Sequence, residues 1–227
     1  MFCYQCEQTA KGAGCTAHGV CGKDPETAAF QDMLVHVARG ISRYAHRARL
    51  LGAKDPDADR FVVEALFTTV TNVNFDAERV AGWIRRGAEA RDKARALYEE
   101  ACRSAGREPE KLTGDAEIAP AADNDELLRQ AEGLTIQQRI DAFGPDVAGL
   151  QELLTYGLKG SAAYADHARV LGVEDDEVYA FFHEALSYLA DNPTDPEDLT
   201  RMVLRAGEVN LRVMEILDEA NTGAYGH

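Results

Sequence analysis

Basic residues are in short supply: 24 Lys and Arg stand against 39 Asp and Glu, giving a formal net charge of −15. Such a chain repels phosphate backbones and anionic lipid and offers neither a basic stripe, which argues against nucleic acid and membrane as partners. An uninterrupted apolar run of about 18 residues, enough to cross a bilayer, is also missing. The opening Met1-Phe2-Cys3-Tyr4-Gln5-Cys6 lacks the basic and apolar regions of a secretory leader, so a cytoplasmic protein is expected. There is no G-x-x-x-x-G-K-[ST] phosphate loop, no G-x-G-x-x-G after a strand and no G-x-S-x-G elbow, which leaves nucleotide chemistry and serine hydrolysis without their usual signatures.

Cysteine is scarce but unevenly placed. There are five, an odd number; Cys3, Cys6, Cys15 and Cys21 fall in the first 21 residues and Cys102 stands alone. A chain of 227 residues can bury a core without disulfides, and this distribution is unlike a disulfide framework. Metal binding is the better reading. The spacing is C-x2-C, then eight residues to Cys15 and five to Cys21. Two intervening residues let neighbouring thiolates converge, and glycine-containing spacers let the backbone wrap round to supply the other corners. Four soft thiolates suit an iron–sulfur cluster or a tetrahedral zinc ion. The spacing favours the cluster, because structural zinc more often uses two close pairs; zinc stays open as the alternative.

Residues 1–23, with Gly12, Gly14, Gly19 and Gly22 among the cysteines, have no sustained period and read as a cluster-binding loop. Backbone amides near Gly14, Gly19, Gly22 and Lys23 are candidates to donate to cluster sulfurs, and Phe2 and Tyr4 to shield them from water. His18 reads as a nearby or surface residue, since four thiolates already complete a cluster.

Asp24 and Pro25 then signal a helix start, by capping and by fit to the first helical position. Phe30, Met33, Leu34, Val37, Ile41, Tyr44, Ala48 and Leu51 supply its apolar stripe, and Gly52 suits a left-handed stop. Further helices are expected over about 58–70 and 77–103, the last carrying Val80, Ile84, Ala88, Ala94 and Leu97. Residues 24–103 therefore read as a first three-helix bundle.

At a constant offset of 120 residues the pattern recurs: Gln31, Leu34, Gly40, Tyr44, Ala48, Arg49 and Gly52 return as Gln151, Leu154, Gly160, Tyr164, Ala168, Arg169 and Gly172. Phe61, Glu64, Asn72 and Gly87 likewise match Phe181, Glu184, Asn192 and Gly207. Residues 147–221 are thus a second three-helix bundle made by duplication. Residues 104–146 form a connector with short helices near 125–131 and 136–142, and 222–227 begin a linker. The fold class is all-α. Gly40 and Gly160 sit inside helices, where glycine costs roughly 1 kcal/mol against alanine, so close crossings are expected there.

Other chemistry has thinner support. Glu64 and Glu184 lack the Glu-x-x-His partners of a di-iron bundle, and His36 and His183 have no completing ligand set. Cys102 reads as a small buried hydrophobe.

Met1 to Cys15, then Gly19-Val20-Cys21-Gly22-Lys23 and Glu26-Thr27-Ala28, resemble the N-terminus of the hybrid cluster proteins, also called prismane proteins or hydroxylamine reductases. Leu158-Lys159-Gly160, Ala163-Tyr164-Ala165, Leu217 to Thr222 and Tyr225-Gly226 extend the resemblance along the chain. It implies that Cys3, Cys6, Cys15 and Cys21 hold an electron-transfer [4Fe–4S] cluster, and that two three-helix bundles form the N-terminal domain. Carbon monoxide dehydrogenases look distantly similar in architecture. It further implies that the substrate-reducing hybrid iron–sulfur–oxygen cluster is bound beyond His227, by His, Glu and Cys residues that this chain does not contain. The implied partners are an electron-donating reductase or ferredoxin, the rest of the parent enzyme, and hydroxylamine or nitric oxide as substrate. A stand-alone iron–sulfur relay and a zinc-stapled helical scaffold are the alternatives.

Overall fold

Why each helix starts where it does is visible in a computed structural model, which describes residues 1–226. Six of the eight α-helices begin after an aspartate whose carboxylate accepts a first-turn N–H: Asp24, Asp55, Asp76, Asp123, Asp175 and Asp195. This satisfies donors that a helix N-terminus leaves orphaned. The helices are α1 (Pro25–Leu50), α2 (Pro56–Thr68), α3 (Ala77–Ser104), α4 (Asn124–Glu132), α5 (Ile136–Phe143), α6 (Pro145–Val170), α7 (Asp176–Ala190) and α8 (Pro196–Tyr225). Helix α8 carries on through Thr222 to Tyr225, where the sequence suggested a linker; no proline or capping stop intervenes before Gly226, which takes φ +76°. The last residue of that expected linker, His227, lies outside the described residues.

The duplication is structural down to its turns. Gly52 and Gly172 adopt φ +82° and +87°, and the amides of Ala53 and Val173 reach back to the carbonyls of Ala48 and Ala168 in the same helix-ending motif. Asn72 and Asn192, after α2 and α7, are both left-handed at φ 65° and 49°. Buried Gln31 donates to the Asn74 carbonyl at 2.8 Å, and Gln151 to that of Pro193 at 2.9 Å.

The two repeats nevertheless do not fold as separate bundles. Helix α1 packs along α3 with α2 against both, and α6 packs along α8, but the middle helices also cross over: α7 lies chiefly on α1, and α2 lies on α6 as well. One continuous core results, with Leu34, Leu66 and Ile84 of the first repeat in the same cluster as Leu154, Phe182 and Val213 of the second. A buried polar chain ties the exchange. Ser42 Oγ of α1 lies 3.0 Å from His183 Nδ1 of α7, His183 Nε2 lies 2.8 Å from Asp59 of α2, and Arg49 of α1 donates to Asp59 at 2.6 Å. Burial alone would raise the Asp59 carboxyl, but His183 and Arg49 outweigh it and hold the group below its ordinary range. Ser, His and Asp in series resemble a hydrolytic triad, yet all three are buried in the core, where substrate has no access. They fix helix positions.

The connector, residues 105–144, folds back over α1 and α3. Its 3-10 turn Gly114–Glu117 brings the Asp115 carbonyl so near α1 that a Cβ on Gly40 would sit 2.2 Å from it. The close crossing expected at Gly40 is therefore made by a loop backbone. At Gly160 a Cβ would meet nothing within 4 Å.

Alanine at an open helical glycine gains up to about 1 kcal/mol from propensity, and a forced clash costs on the order of 1–3 kcal/mol. Gly160→Ala should therefore raise the urea midpoint of this chain and Gly40→Ala should lower it, although both positions descend from the same repeat residue.

Candidate metal centre

The first 23 residues fold into a loop held by its own amides. Phe2 N–H donates to the Cys15 carbonyl at 3.0 Å, closing the large lobe; Thr9 N–H donates to the Cys6 carbonyl at 3.0 Å, opening a 3-10 turn over Glu7–Thr9. Gly19 N–H donates to the Lys23 carbonyl at 2.8 Å and closes the small lobe round Cys21. A Cβ on Gly19 would fall 2.7 Å from that carbonyl and 3.4 Å from Cys21 Sγ, so only glycine fits. Gly14, Gly19 and Gly22 do not aim their amides at the sulfurs as the sequence suggested: they donate to Met1 Sδ, Lys23 O and Gly19 O, because the loop consumes them in closing itself.

Cys3, Cys6, Cys15 and Cys21 all line one enclosed cavity, with Phe2 and Lys23 completing its inner wall. All four thiols are free. Cys3 and Cys15 are half-buried, while Cys6 and Cys21 are exposed. The sulfurs border a cavity instead of converging on a point: among the described residues no three His, Cys, Asp or Glu side chains are grouped closely enough to hold a single ion. His18 is exposed, and Cys102 lies buried in the core on α3, apart from the loop. Glu64 pairs with Arg169 at 2.8 Å and Glu184 with Arg205, so neither carboxylate is available to a metal. His36 is paired with Asp115 at 2.8 Å.

Three contacts seat the loop on the helices. Lys23, only 1% exposed, donates from Nζ to Gln31 Oε1 of α1 at 2.7 Å. Tyr4 Oη donates to Gln137 of α5 at 2.8 Å, and Thr71, beyond α2, reaches Gln5 at 3.4 Å. Phe2 and Tyr4 also line a cavity of about 260 Å³ between the loop, α1 and α5, into which Asp32 opens. Nothing local marks Lys23 as a buried side chain, because a lysine after Cys21-Gly22 looks like any loop lysine; the repeated Gln31 was the one available clue.

Behind the loop lies a polar cluster drawn from α1, α5 and α6. Arg139 pairs with Glu152 at 2.5 Å, Arg39 Nη2 donates to Thr155 at 3.3 Å, and Lys159 is buried beside the Tyr156 ring. Burial raises the Asp32 carboxyl to about 7, with the positive charges of Lys159, Arg139 and Lys23 opposing that rise and Glu152 adding to it. Burial lowers Lys159 to about 8 against the pull of Asp32 and Glu152.

The profile of the Prismane/CO dehydrogenase family matches residues 1–227, and the chain belongs to that family. Among curated relatives it is 51% identical to a hydroxylamine reductase of Rhodospirillum rubrum, 49% to one of Acidithiobacillus ferrooxidans and 44% to one of Methanocella arvoryzae. In each case the match covers 100% of this chain and 41% of the relative. The chain thus corresponds to an N-terminal portion, about two fifths of the relatives' length.

Because the folded Asp32 keeps its proton to about pH 7 while an unfolded aspartate loses it near 3.9, its contribution to stability is full below pH 4 and is lost as pH rises through about 7. Asp32→Asn should therefore gain on the unsubstituted chain, in urea midpoint, steadily from pH 5 to pH 7. A constant difference across that range would show that Asp32 ionises normally.

Proposed function

We propose that Cys3, Cys6, Cys15 and Cys21 hold a [4Fe–4S] cluster and that this chain is the electron-relaying N-terminal part of a cytoplasmic, hydroxylamine reductase-like enzyme. The observation that carries this reading is the meeting of four free thiols, and no other metal-binding side chain, on one enclosed cavity. Four thiolates from one short loop can ligate a polynuclear iron–sulfur core or a single zinc ion; the eight- and five-residue spacers, unlike the two close pairs usual in structural zinc sites, favour the cluster. Membership of the prismane family supports the same choice.

When bound, such a cluster supplies one-electron storage at a potential set by ligation, charge and solvent exposure. The chain's own residues give that function a direction. Cys6 and Cys21 face solvent, the side from which a reductase or ferredoxin would approach, while Cys3 and Cys15 are half-buried. Phe2 restricts water on the inner wall, and the buried Lys23 cation favours added negative charge at the thiolates. Delivery to a hybrid iron–sulfur–oxygen cluster, and the reduction of hydroxylamine to ammonia or the handling of nitric oxide there, belong to the remainder of the parent enzyme. No helix among the described residues is long and apolar enough to cross a membrane, which agrees with a cytoplasmic setting.

Purified anaerobically, or reconstituted with iron and sulfide, the chain should be brown, absorb near about 400 nm and contain matched iron and inorganic sulfide. Replacing Cys3, Cys6, Cys15 or Cys21 by serine should remove most of the iron, and Cys102→Ser should leave it intact. A colourless zinc protein, or iron retained after loss of one of the four thiols, overturns the assignment. Hydroxylamine reduction by the reconstituted chain alone would overturn the division of labour.

A further inference from the structure

The two repeats are alike in sequence but not in how they are covered. On α1, Met33, Val37, Gly40 and Tyr44 form one buried stripe. Their counterparts on α6, Leu153, Gly157, Gly160 and Tyr164, look outward: Tyr44 is 5% exposed and Tyr164 42%, Met33 1% and Leu153 53%. The same contrast separates α3 from α8. Ile84, Gly87 and Ala94 are buried, whereas the matching Leu204, Gly207 and Met214 are exposed.

Gly87 of α3 is covered by Val37 of α1 and Phe61 of α2, and the α1 stripe at Gly40 is covered by the chain that leaves the repeat. After α3 the connector doubles back, the Asp115 carbonyl resting against Gly40, the guanidinium of Arg91 on α3 donating to the Ile118 carbonyl, and Leu112, Ala116 and Leu127 joining the core. Among the described residues nothing does this for α6 and α8, where a Cβ on Gly160 or Gly207 would meet open space. Exposed leucines and a methionine aligned along two helices that pack on each other mark an interaction surface. Its occupant can be chosen. A second copy would bring another net charge of −15 against the first, which opposes self-association. The relatives, of which this chain matches 41%, have ample chain to follow α8.

We propose that the segment following α8 in the full-length protein folds back over α6 and α8, as the connector does over α1 and α3, and seals the Leu153–Tyr164 and Leu204–Met214 stripes. The bound state then resembles the first half of the molecule: Gly160 of α6 admits a backbone where Gly40 already does. This inference is independent of what the cysteines bind.

Hydroxyl-radical footprinting read by mass spectrometry tests it on the 227-residue chain and on the protein continued past α8 as its relatives are. Met214 and Tyr164 should label strongly in the shorter chain and roughly fivefold or more weakly in the longer one, matching the burial of their counterparts, while Met33 and Tyr44 stay protected in both. Equal labelling of Met214 and Tyr164 in the two proteins would overturn the proposal. So would protection that appears in the shorter chain alone as its concentration rises, since a second copy would then be the occupant.

Discussion

A buried ammonium is the most enclosed of the three contacts that join the cysteine loop to the helical body. Lys23 is 1% exposed and sits two residues past Cys21 and at the foot of α1, its Nζ 2.7 Å from Gln31 Oε1. Removing a cation from water costs several kcal/mol unless other groups offset it. Gln31 supplies one acceptor while its amide is fixed by the Asn74 carbonyl at 2.8 Å, so the position of Lys23 depends on the α2–α3 turn as well as on α1. Anionic thiolates in the adjoining cavity would offset the rest. Under the proposed function, the same buried charge would favour an anionic group in the cavity.

The body that receives the loop is stiff because its repeats are interlocked. Had each repeat folded on its own, residues 24–103 and 147–221 would have met across a single face. Exchange of α2 and α7 instead gives α1 neighbours on nearly every side, which explains why polar Gln31, His36, Arg39 and Ser42 are buried along with its apolar stripe. Each polar side chain then needs a partner, and these partners come from distant segments: Asp115 for His36, Thr155 for Arg39, His183 for Ser42. Such pairs specify which packing forms. The cluster behind the loop keeps buried polar atoms of Arg39, Arg139 and Tyr156 without partners.

Local signals were readable from the sequence, and long-range choices were not. Asp24-Pro25, Gly52 and the Asn72–Asn192 match marked caps and turns correctly, because capping and left-handed backbone depend on neighbours within a few residues. The all-α duplication was equally plain. Exchange of the middle helices was hidden, since matched repeats present matched apolar stripes and either partner satisfies the period. Gly40 and Gly160 looked equivalent and are not, the difference lying in a connector with no sequence counterpart. For the candidate site, type and spacing set the four cysteines apart, and the fold brings them to one cavity; the hydrogen bonds of the glycine amides were not legible, because loop closure competes for the same donors.

On the proposed function, four sulfurs near the amino end enclose one polynuclear iron–sulfur core. Mössbauer spectroscopy on chain reconstituted with isotopically enriched iron reads the nuclearity directly. The account predicts the delocalised valence pattern of a single [4Fe–4S] centre, in oxidised and in reduced samples. Signals from isolated tetrahedral iron or from a two-iron centre would contradict it.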